Sequence, residues 1–190
     1  MILDPTQTNM TKNYAAAFGA QWKKYRLTQL DSYTKLPISR TRALRCIGEE
    51  NVGWIRGKRV LECGCGAGRF TEVLLSVGAR VVSIDLSDAV VANSENCPQS
   101  PQHQVVQADI ATLPFCLGTF DVVFCLGVVQ HTPSPERTIA RLYEQLKAGG
   151  LLVIDHTTRT QSPITQKRQV YSGWYLSTCH RIKACVVQKN

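Results

Sequence analysis

The sequence has no hydrophobic run long enough to cross a membrane: its longest, Val122 to Val129, has eight residues, against the ~20 that a spanning helix needs. It lacks a basic region, an apolar segment and a small-residue cleavage site at its amino terminus, so it does not read as carrying a secretory signal. A cytoplasmic address is therefore expected. No repeat or low-complexity tract occurs. The eight cysteines show neither Cys-x2-Cys nor a nearby His-x3-His partner, so Cys63-Gly64-Cys65 stands without the second half of a zinc site and no metal is expected. Scattered through what reads as an α/β core, they are expected as reduced thiols.

Acidic residues are also scarce, and unevenly so. The 22 basic against 14 acidic side chains give a net charge of +8. Residues 1–60 hold eleven basic and four acidic residues, 61–155 five and ten, and 156–190 six and none. Basic flanks of this kind fit either a phosphate-bearing or nucleic-acid partner or an ordinary solvated surface. The second reading is preferred, because no aromatic-and-basic recognition motif accompanies the charge. With 44% apolar and 19% charged residues, the 190-residue chain is too hydrophobic for disorder and suits one domain.

What is present is an alternation. Tyr14, Phe18, Trp22 and Tyr25 recur at helical spacing within a helix-forming stretch over 10–35, and a second helix is expected from Arg40 to Glu50, stopping near Gly53. From residue 56, β-branched runs alternate with amphipathic stretches: Arg59–Glu62, Phe70–Val77, Arg80–Asp85, Ala89–Ser94, Gln104–Gln107, Asp121–Leu126, Pro135–Leu146 and Leu151–Asp155. This is the order of a mostly parallel sheet covered on both faces. The helix from Pro135 has Ser134 to cap it, Ile139, Leu142 and Leu146 on one side, and Gly149-Gly150 to end it. Beyond Asp155 the one strand-like run is Ala184–Val187.

Val60-Leu61-Glu62-Cys63-Gly64-Cys65-Gly66-Ala67-Gly68-Arg69-Phe70 reads as a strand, a glycine loop and a helix start. The glycines let the backbone turn tightly and let a ligand approach without meeting a Cβ. A dinucleotide fingerprint would need its third glycine at 69, where Arg stands, so a nicotinamide dehydrogenase ranks last. Asp85 ends the next strand and suits a ribose, its carboxylate accepting from both hydroxyls. Asp109-Ile110 ends the third, offering an acid and an apolar side chain to a purine.

This order resembles the class I S-adenosylmethionine-dependent methyltransferases, specifically the small-molecule, type 11-like group with a Glu-x-Gly-x-Gly-x-Gly loop. Glu62, Gly64, Gly66 and Gly68 match the loop, Asp85 the ribose acid and Asp109-Ile110 the adenine pair. Phe120-Asp121-Val122-Val123 matches the fourth strand, and Leu146-Lys147-Ala148-Gly149-Gly150-Leu151-Leu152 the approach to the fifth. The matches cover roughly residues 56–155. The resemblance implies a Rossmann-like three-layer sandwich and S-adenosyl-L-methionine as cofactor. It implies cofactor contacts from Glu62, Gly64, Cys65, Gly66, Gly68, Asp85, Leu86, Asp109, Ile110, Cys125 and Leu126, with Glu62 steadying the loop and the methionine end.

The expected organisation is an amino-terminal helical segment over 1–55, a candidate lid through Tyr14, Trp22 and Tyr25; a cofactor-binding core over 56–155; and a basic tail over 156–190. The expected reaction is in-line methyl transfer to a small-molecule acceptor. His131, after the fourth strand, is the first candidate base, its alternative being a histidine that packs on the cofactor or bonds a loop carbonyl. Asp155-His156 is a weaker candidate pair. The family's sheet normally continues past the fifth strand with a helix and an antiparallel pair, which is expected here to be missing or abbreviated, leaving the fifth strand uncovered. A truncated, non-catalytic cofactor-binding module and an RNA or protein methyltransferase are the rival readings.

Overall fold

The computed structural model describes residues 5–156 and 183–189. Four helices come first, α1 (Pro5–Lys24), α2 (Asp31–Thr34), α3 (Ile38–Ile47) and α4 (Glu49–Ile55). An alternating series follows: β1 (Arg59–Cys63), α5 (Arg69–Ser76), β2 (Arg80–Asp85), α6 (Ala89–Asn96), β3 (His103–Gln107), β4 (Phe120–Cys125), α7 (Pro135–Glu144), β5 (Leu146–His156) and β6 (Lys183–Gln188). The strands form one sheet in the order β3-β2-β1-β4-β5-β6. β1 to β5 are parallel and β6 runs antiparallel to β5.

The period of two along each strand builds the layers. Val60, Val81, Val122 and Val153 turn to one face, where they meet Ala43 and Ile47 of α3, Ile55 of α4 and Phe70 and Leu74 of α5. Leu61, Ile84, Val123 and Leu152 turn to the other and meet Leu142 of α7. Burial on both faces explains why β1 and β4 read as near-continuous apolar runs. The strand order reverses between β1 and β4, and in open parallel sheets that crevice, at the carboxyl ends, is where ligands bind.

Several expectations are corrected. The helix expected over Arg40–Glu50 is two helices, α3 and α4, broken at Gly48, whose φ of +87° no helix accommodates. Ser134 occupies the cap position of α7 but its side chain makes no capping bond. Leu146 continues the helical spacing of Ile139 and Leu142 yet belongs to β5, paired with Phe120 across the sheet and fully buried; burial against β4 overrides the local period. The stretch Gly149-Gly150 consequently sits inside β5 rather than ending α7. β5 is not an uncovered edge, since β6 pairs with it from Leu151↔Gln188 to His156↔Lys183. Among the described residues the antiparallel addition to β5 is β6. No helix among them is long and apolar enough to cross a membrane.

Candidate functional site

The loop between β1 and α5 is fixed by the strand beside it. Gly64 N and Cys65 N both donate to Ile84 O, at 2.8 and 2.9 Å. Gly66 N donates to Asp85 Oδ2 at 2.9 Å, while Asp85 Oδ1 accepts from Ser87 N at 2.9 Å and Ser87 Oγ at 2.7 Å. A carboxylate has about four acceptor positions, and these three bonds leave Asp85 about one. The expected clamp on two hydroxyls therefore requires Ser87 Oγ to let go. Gly64 has φ +73°, and a Cβ there would stand 2.2 Å from Val128 Cγ2, so the loop closes on the crevice only with glycine.

Above the loop lies a cavity of about 300 Å³, at the small end of the ~300–1,000 Å³ range of ligand pockets. Gly64, Cys65 and Gly66 form its floor, Asp85 and Leu86 one wall, Asp109 and Ile110 the next, and Leu126 and His131 the side beyond β4. Asp109 Oδ1 accepts from Ala111 N at 2.8 Å and caps the short 3-10 turn Ile110–Thr112.

Three of the expected contact residues stand behind this surface rather than on it. Gly68, with φ +100°, starts α5 and faces Asn93 and Cys97 of the α6 side. Cys125 is fully buried beneath the sheet's end. Glu62 is buried too, its Oε2 accepting from Thr71 Oγ1 at 2.6 Å and Ser83 Oγ at 2.7 Å. Burial pushes its carboxyl up to about 7, the two hydroxyl donors opposing and the Asp85 charge adding to the rise.

α1 roofs the cavity. Phe18 and Trp22 line it, with the Phe18 ring 5.8 Å from that of His131 and Trp22 over Gly66. Of the aromatic stripe, Tyr25 lies past the end of α1 and is 48% exposed; the side chains of Tyr14 and His156 lie outside the described residues. Gly19 brings α1 against Ser87 and Asp88, and Lys23 pairs with Asp88. Burial lowers His131 from the ordinary imidazole value.

The sequence reading missed the arginines. Arg26, Arg42 and Arg69 all reach the cavity wall. Arg42 pairs with Asp155, and Asp155 also accepts from Gly127 N, which makes Asp155 a buried brace between α3, the turn after β4 and β5. Arg42 Nε and Arg69 Nε are buried without a hydrogen-bond partner among the described residues. Burial, then the charge of Arg42, lower Arg69. No local spacing announces that α3 and the end of β5 meet here. Cys63, Cys65, Cys97, Cys116 and Cys125 are free thiols; Cys179 and the side chain of Cys185 lie outside the described residues.

Residues 61–154 match the family model described as a methyltransferase domain. The chain is 31% identical over 107 residues to a ubiquinone biosynthesis O-methyltransferase of Coxiella burnetii, covering 55% of this chain and 46% of that one. It is 32% identical over 126 residues to the protein of the same name from Burkholderia orbicola, covering 60% and 53%. It therefore spans about half the length of the curated relatives it matches. The crystal structure of an S-adenosylmethionine-dependent methyltransferase from Mesorhizobium loti superposes with a TM-score of 0.54 at 23% identity, covering 63% of this chain and 53% of that one, a likeness of fold.

Proposed function

Residues 61–154 of this chain belong to the class I S-adenosylmethionine-dependent methyltransferase family, and from that premise we propose that the cavity holds S-adenosylmethionine and that the chain transfers its methyl group to a small-molecule acceptor. The observation that carries this is the convergence of the glycine floor, Asp85 and Asp109 on one roofed cavity at the point where the strand order reverses. The residues fit the group: Gly64 and Gly66 leave the floor free of side chains, and two carboxylates at successive strand ends meet a ribose and a purine edge. The names of the curated relatives favour a hydroxyl oxygen as the atom methylated.

The cofactor, when bound, supplies a methyl made electrophilic by its sulfonium, so the protein's work is alignment and exclusion of water. Asp85 accepts from one ribose hydroxyl directly and from the second when Ser87 Oγ turns away. Asp109 keeps Oδ2 for a purine amine. Phe18 and Trp22 close the cavity and offer aromatic faces to a cation, which makes α1 the lid of the site. His131 stands at the acceptor side; kept neutral by burial, it takes the proton of the attacking hydroxyl.

A thermal-shift comparison tests the reading. S-adenosylmethionine or S-adenosylhomocysteine at ~100 times its dissociation constant should stabilise the fold by ~2.7 kcal/mol, and NAD should not. Labelled methyl should then reach the oxygen of a small-molecule acceptor. Stabilisation without transfer to any acceptor would favour a cofactor-binding module instead.

A further inference from the structure

Beneath the cavity floor, a line of buried polar side chains crosses three strands. Glu62 on β1, Ser83 on β2 and His103 on β3 are each about 1% exposed or less. Ser83 Oγ lies 2.7 Å from Glu62 Oε2 and 3.2 Å from His103 Nε2. Thr71 of α5 donates to the same Oε2, and Asn93 of α6 donates to Thr71 Oγ1 at 2.9 Å. Among the described residues Glu62 Oε1 has no hydrogen-bond partner. Ser83 owns a single proton, which can serve the carboxylate or the imidazole but not both.

We propose that Glu62 and His103 share one proton through the Ser83 hydroxyl, and that a cation held over the glycine loop draws this proton from the carboxyl to the imidazole. Two arrangements satisfy all three groups. In the first, the Glu62 carboxyl O–H donates to Ser83 Oγ and the Ser83 O–H donates to Nε2 of neutral His103. In the second, the carboxyl proton has passed to Ser83 Oγ and the original Ser83 proton to Nε2. A carboxylate then accepts from Ser83, and Ser83 accepts from imidazolium. One proton has moved at each oxygen and none is gained or lost.

The surroundings set the balance between them. Facing Glu62, Asp85 is the charged group; the thiols of Cys63, Cys65, Cys97 and Cys125 are pushed up by burial and stay neutral. His103 faces the backbone carbonyls of Cys97 and Pro98, which favour its protonated form against the burial that opposes it. Burial raises Glu62 and lowers His103, so the neutral arrangement is the resting one. A cation nearby reverses the preference, because Coulomb attraction is weakly screened in a buried setting. This second half rests on the proposed methyl-donor reading: the donor carries a sulfonium and the product a neutral thioether, so the pair responds to one and not to the other. Glu62, Ser83 and His103 act as positioning residues.

Long-range 1H–15N spectra of the full chain labelled at histidine report the charge of His103 directly. In the unliganded chain, the His103 Nε2 signal should show a second inflection where Glu62 loses its proton and the Ser83 hydroxyl turns from the imidazole to the carboxylate, and Glu62→Gln should abolish it. Ser83→Ala, a smaller change to the core, should abolish the second inflection as well. S-adenosylmethionine should increase the imidazolium signal and S-adenosylhomocysteine should not. No second inflection in the wild type, one that survives in Glu62→Gln, or identical His103 spectra with the two ligands bound, overturns the proposal. Absence of binding by either ligand would instead sink the methyl-donor reading, leaving the unliganded titration to decide the proton sharing.

Discussion

Arg42 on α3 donates from Nη2 to the carboxylate of Asp155 at the end of β5, across 113 residues of sequence. Asp155 is 2% exposed and also takes the Gly127 amide. One buried carboxylate thus fastens the amino-terminal helices and the turn after β4 to the fifth strand, at the wall of the cavity. Arg42→Ala strands that carboxylate and should cost about 3–5 kcal/mol in urea unfolding, the range for breaking a buried pair. Asp155→Asn, which removes the charge but keeps the shape, should cost distinctly less. Equal losses would deny the brace.

His131→Ala should lower turnover by about 10²- to 10⁴-fold, the worth of a general base, with little change in cofactor affinity. Burial holds the imidazole below its ordinary value, so the unprotonated form persists to lower pH. The wild-type rate should accordingly stay level as pH falls through 6.5 and drop only below it. A fall centred above 6.5 would remove His131 from the role.

Gly19 carries the approach of α1 to the β2–α6 turn: a Cβ there would lie 3.1 Å from Ser87 Cβ. Gly19→Leu should lift the helix that brings Phe18 and Trp22 over the cavity, without altering any wall residue. Cofactor affinity should fall at least tenfold while the urea midpoint of the core moves little. Unchanged affinity would reduce α1 to a structural cover.

Glu62 gives stability a pH slope of definite sign. Its folded value, about 7, lies above the ordinary 4.5, so the native state binds more protons than the unfolded one between those limits. Its contribution is complete below 4.5 and is lost as pH rises through 7, amounting to about 3 kcal/mol across the window. Glu62→Gln should flatten the slope of unfolding free energy between pH 4.5 and 7. A slope unchanged by the substitution would contradict the raised carboxyl.

The strands and the glycine floor were legible because both are local: β-branched runs announce buried parallel strands, and Gly64, Gly66 and Gly68 follow one another within five residues. Their separate duties were not, since only packing tells that Gly64 faces Val128 across the crevice while Gly68 faces Cys97 behind it. Leu146 misled because its helical spacing is real and its pairing with Phe120 is distant. Tyr25 misled likewise, as the helix ends one residue before it. The pairing of Arg42 with Asp155, 113 residues apart, carries no short-range signal at all.

What Asp85 and the floor beneath it hold decides the function of the cavity. Titration calorimetry of S-adenosylhomocysteine into the wild-type chain and Asp85→Asn, with NAD as control, measures this directly. Saturable one-to-one binding that weakens at least tenfold in the variant, and no heat from NAD, is the predicted result. No heat from S-adenosylhomocysteine with the folded wild-type chain, or binding indifferent to Asp85, would contradict it.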